Sequence, residues 1–160
     1  MQNFPPLLIL RHEKENKKKC SLSNLSHQTD CQFFNYPLRT ELPCLSQYLC
    51  LSLDGEVLSS KDADKGLFLI DATWRYAKRM HEAIPFPKKS LRSLPFDFKT
   101  AYRRRQSDCD DPERGLSSIE ALYVAYRILG RDYSKLLSHY YWRDDFLQKN
   151  HHLLRDISSS

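Results

Sequence analysis

The first candidate for chemistry is a carboxylate and a tryptophan that follow an apolar run. The sequence LFLIDATWRYAKRM, residues 67–80, is apolar as far as Ile70 and then carries Asp71 and Trp74 before a basic, helix-like stretch. A buried strand would deliver Asp71 to its carboxyl end, the edge at which open parallel sheets bind ligands. The pattern alone also fits a simpler role, in which Asp71 or Thr73 caps the helix and Trp74 packs against it.

Clusters of basic residues form the second signal. The chain has 160 residues, with 25 Lys and Arg against 20 Asp and Glu, and a formal net charge of +5. Clustered positive charge in a small protein favours a polyanionic partner such as nucleic acid, although solvated loops without a partner are the alternative. The clusters are Lys17, Lys18 and Lys19; Lys88 and Lys89; and Arg103, Arg104 and Arg105.

Other sequence motifs carry less information about a functional site. The sequence contains neither GxGxxG nor GxxxxGK[ST], so Rossmann and P-loop phosphate binding are not supported. Its five cysteines have no CxxC spacing, which favours free thiols in a reducing cytosol and no metal, with a zinc site that uses His12 as the alternative. The segment DPERGLSS, residues 111–118, precedes an expected helix whose first N–H groups could bind a polar ligand edge.

Short apolar runs and turn residues predict the elements of the first half. The turn signal is Asp54-Gly55, and residues 27–44 are interrupted by Pro37 and Pro43. We expect strands at Leu7–Leu10, Gln47–Leu53 and Leu67–Ile70, a loop or short helix at Ser60–Lys65, and a helix at Thr73–Ala83.

The second half is expected to be helical apart from a short run near Leu94. Ser117 with Glu120 fits a capping box, and Gly130 fits the end of the same helix. The segment 133–153 supplies one or two more helices. Strands that alternate with helices, followed by helices alone, indicate an α/β fold with a parallel sheet and then a helical part. We divide the chain into residues 1–91 and 92–160.

Composition limits the class of protein. An aromatic content of 12% argues against intrinsic disorder, and no apolar segment approaches the roughly 20 residues that span a bilayer. We therefore expect a cytoplasmic protein with no membrane partner, and the helical second half favours a monomer.

Six segments together resemble one enzyme family. In their order along the chain they are similar to the aminocarboxypropyltransferases that modify small-subunit ribosomal RNA, which are related to the DTW-domain transferases that act on transfer RNA. The resemblance covers nearly the whole chain, and the order of the segments carries it, because D-x-x-W alone is weak. The segments are HEKENKKKCSLSNL (12–25), LSLDGEVLSSKDAD (51–64), LFLIDATW (67–74), LRSLPF (91–96), GLSSIEAL (115–122) and YWRDDFLQKNHHLL (141–154).

This resemblance implies a fold and a reaction. The fold would be a five-stranded parallel sheet with flanking helices, followed by a helical domain, with a deep trefoil knot like that of SPOUT methyltransferases. The donor would be S-adenosylmethionine (SAM), whose 3-amino-3-carboxypropyl (acp) group would be transferred to N3 of a uridine or pseudouridine, releasing methylthioadenosine. The partner would be small-subunit rRNA or a pre-ribosomal particle.

The resemblance also implies roles for single residues. Asp71 would be the catalytic carboxylate, and Trp74 would cover the sulfonium methyl, an arrangement that suits cation–π attraction. The remaining donor contacts would come from Ser21, the Ile70 backbone, Leu94, Arg114 and Ser118. The two clusters at residues 17–19 and 103–105 would contact RNA phosphates.

The chemistry of a uridine imide is consistent with one carboxylate at the centre of the site. Its N3 is a poor nucleophile until a base removes the proton, and such help is worth about 10²–10⁴-fold. A sulfonium is already an activated leaving group, so neither a metal nor a covalent nucleophile is required. Most of the remaining rate would come from holding the reacting atoms in line.

Three alternatives stay open at this point. The segment KTAYRRRQSDCDDPERG, residues 99–115, departs from the ribosomal pattern and looks more like the tRNA branch, so a tRNA uridine is the alternative acceptor. A noncatalytic RNA-binding assembly factor on the same scaffold would use the basic clusters alone. Methyl transfer from SAM would also be compatible with a knotted fold.

Overall fold

The structure is a computed structural model that describes residues 4–13, 22, 25, 30–72, 74–84, 86–102 and 115–159. In this part of the chain, five strands and four α-helices are present. The strands are β1 (Leu7–His12), β2 (Cys31–Tyr36), β3 (Tyr48–Val57), β4 (Gly66–Asp71) and β5 (Leu91–Ser93); the helices are α1 (Trp74–Ala83), α2 (Ser118–Leu129), α3 (Arg143–Lys149) and α4 (His151–Ser159).

The chain divides into two compact units. The sheet unit consists of Met1–Glu56 and Asp64–Ser93, and the helical unit consists of Val57–Ala63 and Leu94–Ser160. None of the described helices is both long and apolar enough to cross a membrane.

The sheet unit is built on one five-stranded sheet in the order β2-β1-β4-β3-β5. The β1·β2, β1·β4 and β3·β4 pairs are all parallel. β1 is buried along its whole length and β4 along most of it, which matches the near-continuous apolar runs that parallel strands require. The expected α/β class with a parallel sheet is therefore confirmed.

One face of this sheet is covered by α1. Side chains alternate along a strand, so Leu8 and Leu10 of β1 share a face with Phe68 of β4. They form the core of the sheet unit with Met80 and Ile84, which lie on and just after α1. The same alternation places Ile9 and Leu69 on the other face, together with the last paired residues of the two strands.

β3 corrects one expectation. Asp54-Gly55 was expected to be a turn, but both residues lie inside this strand. Gly55 adopts a φ of 94°, and a Cβ there would lie 2.5 Å from the Leu91 carbonyl oxygen. Glycine is therefore needed where the β5 backbone comes close, and the Ser93 hydroxyl donates to the Gly55 carbonyl at 3.1 Å.

The helical unit has α2 at its centre. Ser117 is the N-cap, its Oγ accepts from the Glu120 N–H, and Gly130 ends the helix in the left-handed conformation at φ 72°. The expected capping box and glycine stop are thus confirmed. α2 packs against α4, which also contacts α3, and Phe146 of α3 is fully buried with its ring edge-on to Tyr123.

Candidate functional site

The carboxyl ends of β1 and β4 form the crevice that this topology favours for a ligand. After β1 the chain continues to β2 on one side, whereas after β4 it continues to β5 on the other. Adjacent parallel strands whose connections leave in opposite directions create a topological switch point, where open α/β sheets bind ligands. The pair of facing residues at this point is Arg11 and Asp71.

Arg11 and Asp71 form a buried ion pair. The Arg11 Nε and Asp71 Oδ2 atoms are 3.4 Å apart, and the two side chains are only 8% and 9% exposed. The register explains this contact, because the two residues are Cα partners on parallel strands and their side chains project from the same face. Asp71, the predicted catalytic carboxylate, is therefore held beside a cation at the sheet edge.

The Arg11 guanidinium has fewer partners than its burial would normally require. Its carbon lies 4.6 Å from the centre of the Phe33 ring on β2, which is a cation–π contact. Both Nε and Nη2 are buried without a hydrogen bond, since the approach to Asp71 does not meet hydrogen-bond geometry. Buried guanidinium N–H groups are normally bonded, so this arginine has donor capacity left at the switch point.

An aromatic cluster occupies the opposite face at the same edge. His12, the last residue of β1, stacks on Tyr76 of α1 with ring centroids 4.0 Å apart, and Tyr36 of β2 lies 5.6 Å away at a tilt. His12 is only 8% exposed. These rings fix the ends of β1 and β2 against α1, and so help to hold Arg11 in place on the other face.

Two other predicted residues, Ile70 and Trp74, lie at the end of β4 and the start of α1. Ile70 precedes Asp71, and its side chain packs against the core beneath α1. Trp74 is the first residue of α1, but its side chain lies outside the described part of the structure. The position before the helix is Thr73, also outside it, whereas Asp71 belongs to the strand.

Two predicted donor contacts lie among the described residues of the helical unit. Leu94 directly follows β5 and is half-buried, and Ser118 is the first residue of α2 and is also half-buried. Ser21, Lys17, Lys18, Lys19, Arg103, Arg104, Arg105 and Arg114 lie outside the described residues. The roles of all these residues stay predictions.

A second buried carboxylate, Glu120, organises the helical unit. Its Oε1 accepts from the Thr100 hydroxyl at 2.6 Å and from the Ser117 N–H at 2.9 Å. Its Oε2 accepts from the Ala101 N–H and from the Tyr140 hydroxyl, both at 2.9 Å. Glu120 is fully buried, and burial together with this carboxylate raises the pKa of Tyr140. We name these bonds the Glu120 clasp.

Asn150 reinforces the same segment. Its Oδ1 accepts from the Lys99 N–H and its Nδ2 donates to the Lys99 carbonyl, both at 2.8 Å. Nδ2 also donates to the Phe146 carbonyl at the end of α3. A side-chain amide thereby replaces a backbone pairing partner for residue 99, next to the start of the basic cluster.

Metal-binding groups are not found among the described residues, where no three His, Cys, Asp or Glu side chains cluster. Cys31, Cys44 and Cys50 are free thiols. Burial raises the pKa of Cys31 and of Cys50 to about 12, which leaves both thiols protonated and poorly nucleophilic.

Comparison with known proteins gives a fold relationship. No family model matches the chain, and no curated protein matches it in sequence. Among solved structures it is similar to the SAM-dependent rRNA:acp-transferase Tsr3 from Vulcanisaeta distributa, with a TM-score of 0.72 and 23% sequence identity. The match covers 98% of this chain and 84% of that one. The two proteins share a fold.

Arg11 is the site residue that sequence reasoning missed. It follows the apolar run Leu7–Leu10, in the same way that Asp71 follows Leu67–Ile70. Two buried strands that each end in a charged residue of opposite sign are a usable signal, because charges at the ends of adjacent parallel strands meet. The pairing of β1 with β4 was the missing information.

Proposed function

We propose that this protein transfers the acp group of SAM to N3 of a uridine or pseudouridine in small-subunit rRNA, with release of methylthioadenosine. The observation that carries the proposal is the buried Asp71 at the switch point of a fold shared over 98% of the chain with an rRNA:acp-transferase. A tRNA uridine is the alternative acceptor. The proposal includes a trefoil knot and a monomer in solution.

The charges at the crevice fit such a donor. SAM has a cationic sulfonium, an ammonium and a carboxylate, and the switch point offers an anionic side chain beside a cationic one. When bound, SAM supplies a carbon that is activated for displacement by the sulfonium. We propose that Ser21, the Ile70 backbone, Leu94, Arg114 and Ser118 contact the donor, and that Trp74 covers its methyl group.

Asp71 acts as the general base in this proposal. Its carboxylate accepts the N3 proton while N3 forms a bond to the γ carbon of the acp group and the carbon–sulfur bond breaks. The electron pair of that bond neutralises the sulfonium. Arg11 lies beside Asp71 and balances its negative charge before the proton arrives.

RNA binding would rest on the basic clusters. We propose that Lys17–Lys19 and Arg103–Arg105 contact phosphates, which predicts that affinity for RNA falls steeply as salt is raised. The helical unit supports this by fixing Lys99, Thr100 and Ala101, the residues just before the second cluster.

A transfer assay with Asp71→Asn tests the proposal. With labelled SAM and rRNA, we expect the variant to lose about 10²–10⁴-fold in transfer rate while it still binds SAM. Asp64→Asn, at an exposed position of the same unit, is the matched control and should retain full activity. Full activity of Asp71→Asn would refute the assigned role.

Nucleoside mass spectrometry of rRNA and tRNA from cells that lack the gene separates the remaining candidates. Loss of an acp nucleoside from rRNA supports the proposal, and loss from tRNA supports the alternative acceptor. Loss of a methyl group would identify a methyltransferase. An unchanged set of nucleosides, together with salt-dependent RNA binding, would identify a noncatalytic factor.

A further inference from the structure

The open donor capacity of Arg11 indicates a binding function beyond its pairing with Asp71. Arg11 is 7% exposed, and neither Nε nor Nη2 makes a hydrogen bond. An exposed arginine would satisfy these groups with bulk water, whereas a buried one depends on protein groups, an ordered water or a ligand. Unsatisfied buried donors in a native structure need an explanation, and at a switch point, where open α/β sheets bind ligands, a ligand group supplies one.

Asp71 balances the charge of Arg11 but accepts no hydrogen bond from Nε or Nη2 of the guanidinium. The contact is 3.4 Å long and involves one carboxylate oxygen. Nε and Nη2 lie along one edge of the planar guanidinium, and this edge matches the two oxygens of a carboxylate. Phe33 covers a face of the plane, and the edge carries the two buried donors that have no hydrogen-bond partner.

We propose that Arg11 binds the α-carboxylate of the acp group of the donor, an inference that rests on the proposed function. Arg11 and Asp71 lie side by side, so a carboxylate bound by Arg11 brings the acp chain, rather than the methyl group, towards the base. Arg11 is then a specificity-determining residue, because it selects the fragment that is transferred.

Calorimetry with two donors that differ only in the carboxylate tests this inference. SAM and decarboxylated SAM share the sulfonium, the adenosine and the amine. The wild-type protein should bind SAM about 10- to 100-fold more tightly, as expected for charge-assisted hydrogen bonds to one carboxylate. Arg11→Met should bind both donors equally, with an affinity near that of the wild type for decarboxylated SAM.

Two further variants serve as controls. Arg11→Lys keeps the charge but loses the two-pronged edge, so it should retain only a small part of the preference. Arg39→Met removes a cation whose side chain is 83% exposed in the same unit and should keep the whole preference. Thermal unfolding of each variant reports whether it is folded.

The outcomes separate this inference from the proposed function. Equal binding of the two donors by the wild type would overturn the role of Arg11, and this result does not depend on the folding of any variant. A preference that survives in Arg11→Met would overturn it as well. No binding of SAM by the wild type would overturn the proposed function and this inference with it.

Discussion

The two units each bury a carboxylate, and they treat it in opposite ways. Glu120 in the helical unit accepts four hydrogen bonds from groups of its own unit. Asp71 in the sheet unit faces an arginine at 3.4 Å whose nearest nitrogen makes no hydrogen bond. A fully bonded buried carboxylate contributes to stability, whereas the unsatisfied donors of Arg11 leave hydrogen-bonding capacity at the switch point. The helical unit therefore holds a carboxylate with a structural role, and the sheet unit holds the candidate site.

The largest effect on stability is expected at the Glu120 clasp. Glu120→Ala leaves the Thr100, Ala101, Ser117 and Tyr140 donors without an acceptor in a buried place, and each such group is costly. We expect a loss on the order of 4 kcal/mol in the free energy of unfolding, measured by urea denaturation. A loss below about 1 kcal/mol would contradict the structural role assigned to Glu120.

Asn150 provides a smaller test of the same unit. Asn150→Ala removes the two bonds to Lys99 and the bond to Phe146. We expect a loss of about 2 kcal/mol by the same measurement. Gln148→Ala, at an exposed position of α3, is the control and should be nearly neutral. Equal effects at the two positions would argue against a structural role for Asn150.

The Arg11–Asp71 pair should behave differently when both members are replaced. In Arg11→Met with Asp71→Leu, neither charge of the pair remains, so we expect the unfolding free energy to change by less than about 1 kcal/mol or to rise. Donor binding should nevertheless weaken about 10- to 100-fold, as in Arg11→Met, and transfer should be lost. A large loss of stability in the double variant would place this pair in the same class as the Glu120 clasp.

The smallest expected effect concerns pH. Burial lowers the pKa of His81, a residue of α1, below its usual value, although Asp54 opposes the shift. The unfolded chain then binds a proton more readily than the native one, so stability should fall as pH drops below the ordinary histidine value of 6.5. His81→Gln should reduce this acid loss in pH-dependent thermal unfolding, whereas His139→Gln, at an exposed position, should not. If His81→Gln loses as much stability at low pH as the wild type, His81 is not the group responsible.

Local patterns predicted much of the fold. The apolar runs identified β1 and β4, and a capping box with a terminal glycine identified α2, because these signals depend on neighbours in sequence. β2 was missed since it is a half-exposed edge strand without a continuous apolar run. Gly55 was taken for a turn because the close approach of Leu91 is a tertiary contact.

In the candidate site, too, local sequence predicted some residues and not others. Asp71 could be located from the end of a buried strand, and its catalytic role stays a prediction. Arg11 could not be assigned, because its importance depends on the pairing of β1 with β4 across about sixty residues of sequence. Ser117 and Glu120 were expected as a local cap, but Thr100 and Tyr140 reach the same carboxylate only through the fold.

The Glu120 clasp also has a consequence for evolution. Ala101 and Ser117 both donate backbone N–H groups to Glu120, so the two ends of the intervening stretch are joined at one buried point. Once the ends are fixed, a change in the length of the stretch between them costs little in closure entropy. That stretch contains Arg103, Arg104 and Arg105. The length and composition of this basic stretch can therefore change while the Glu120 clasp of the helical unit stays the same.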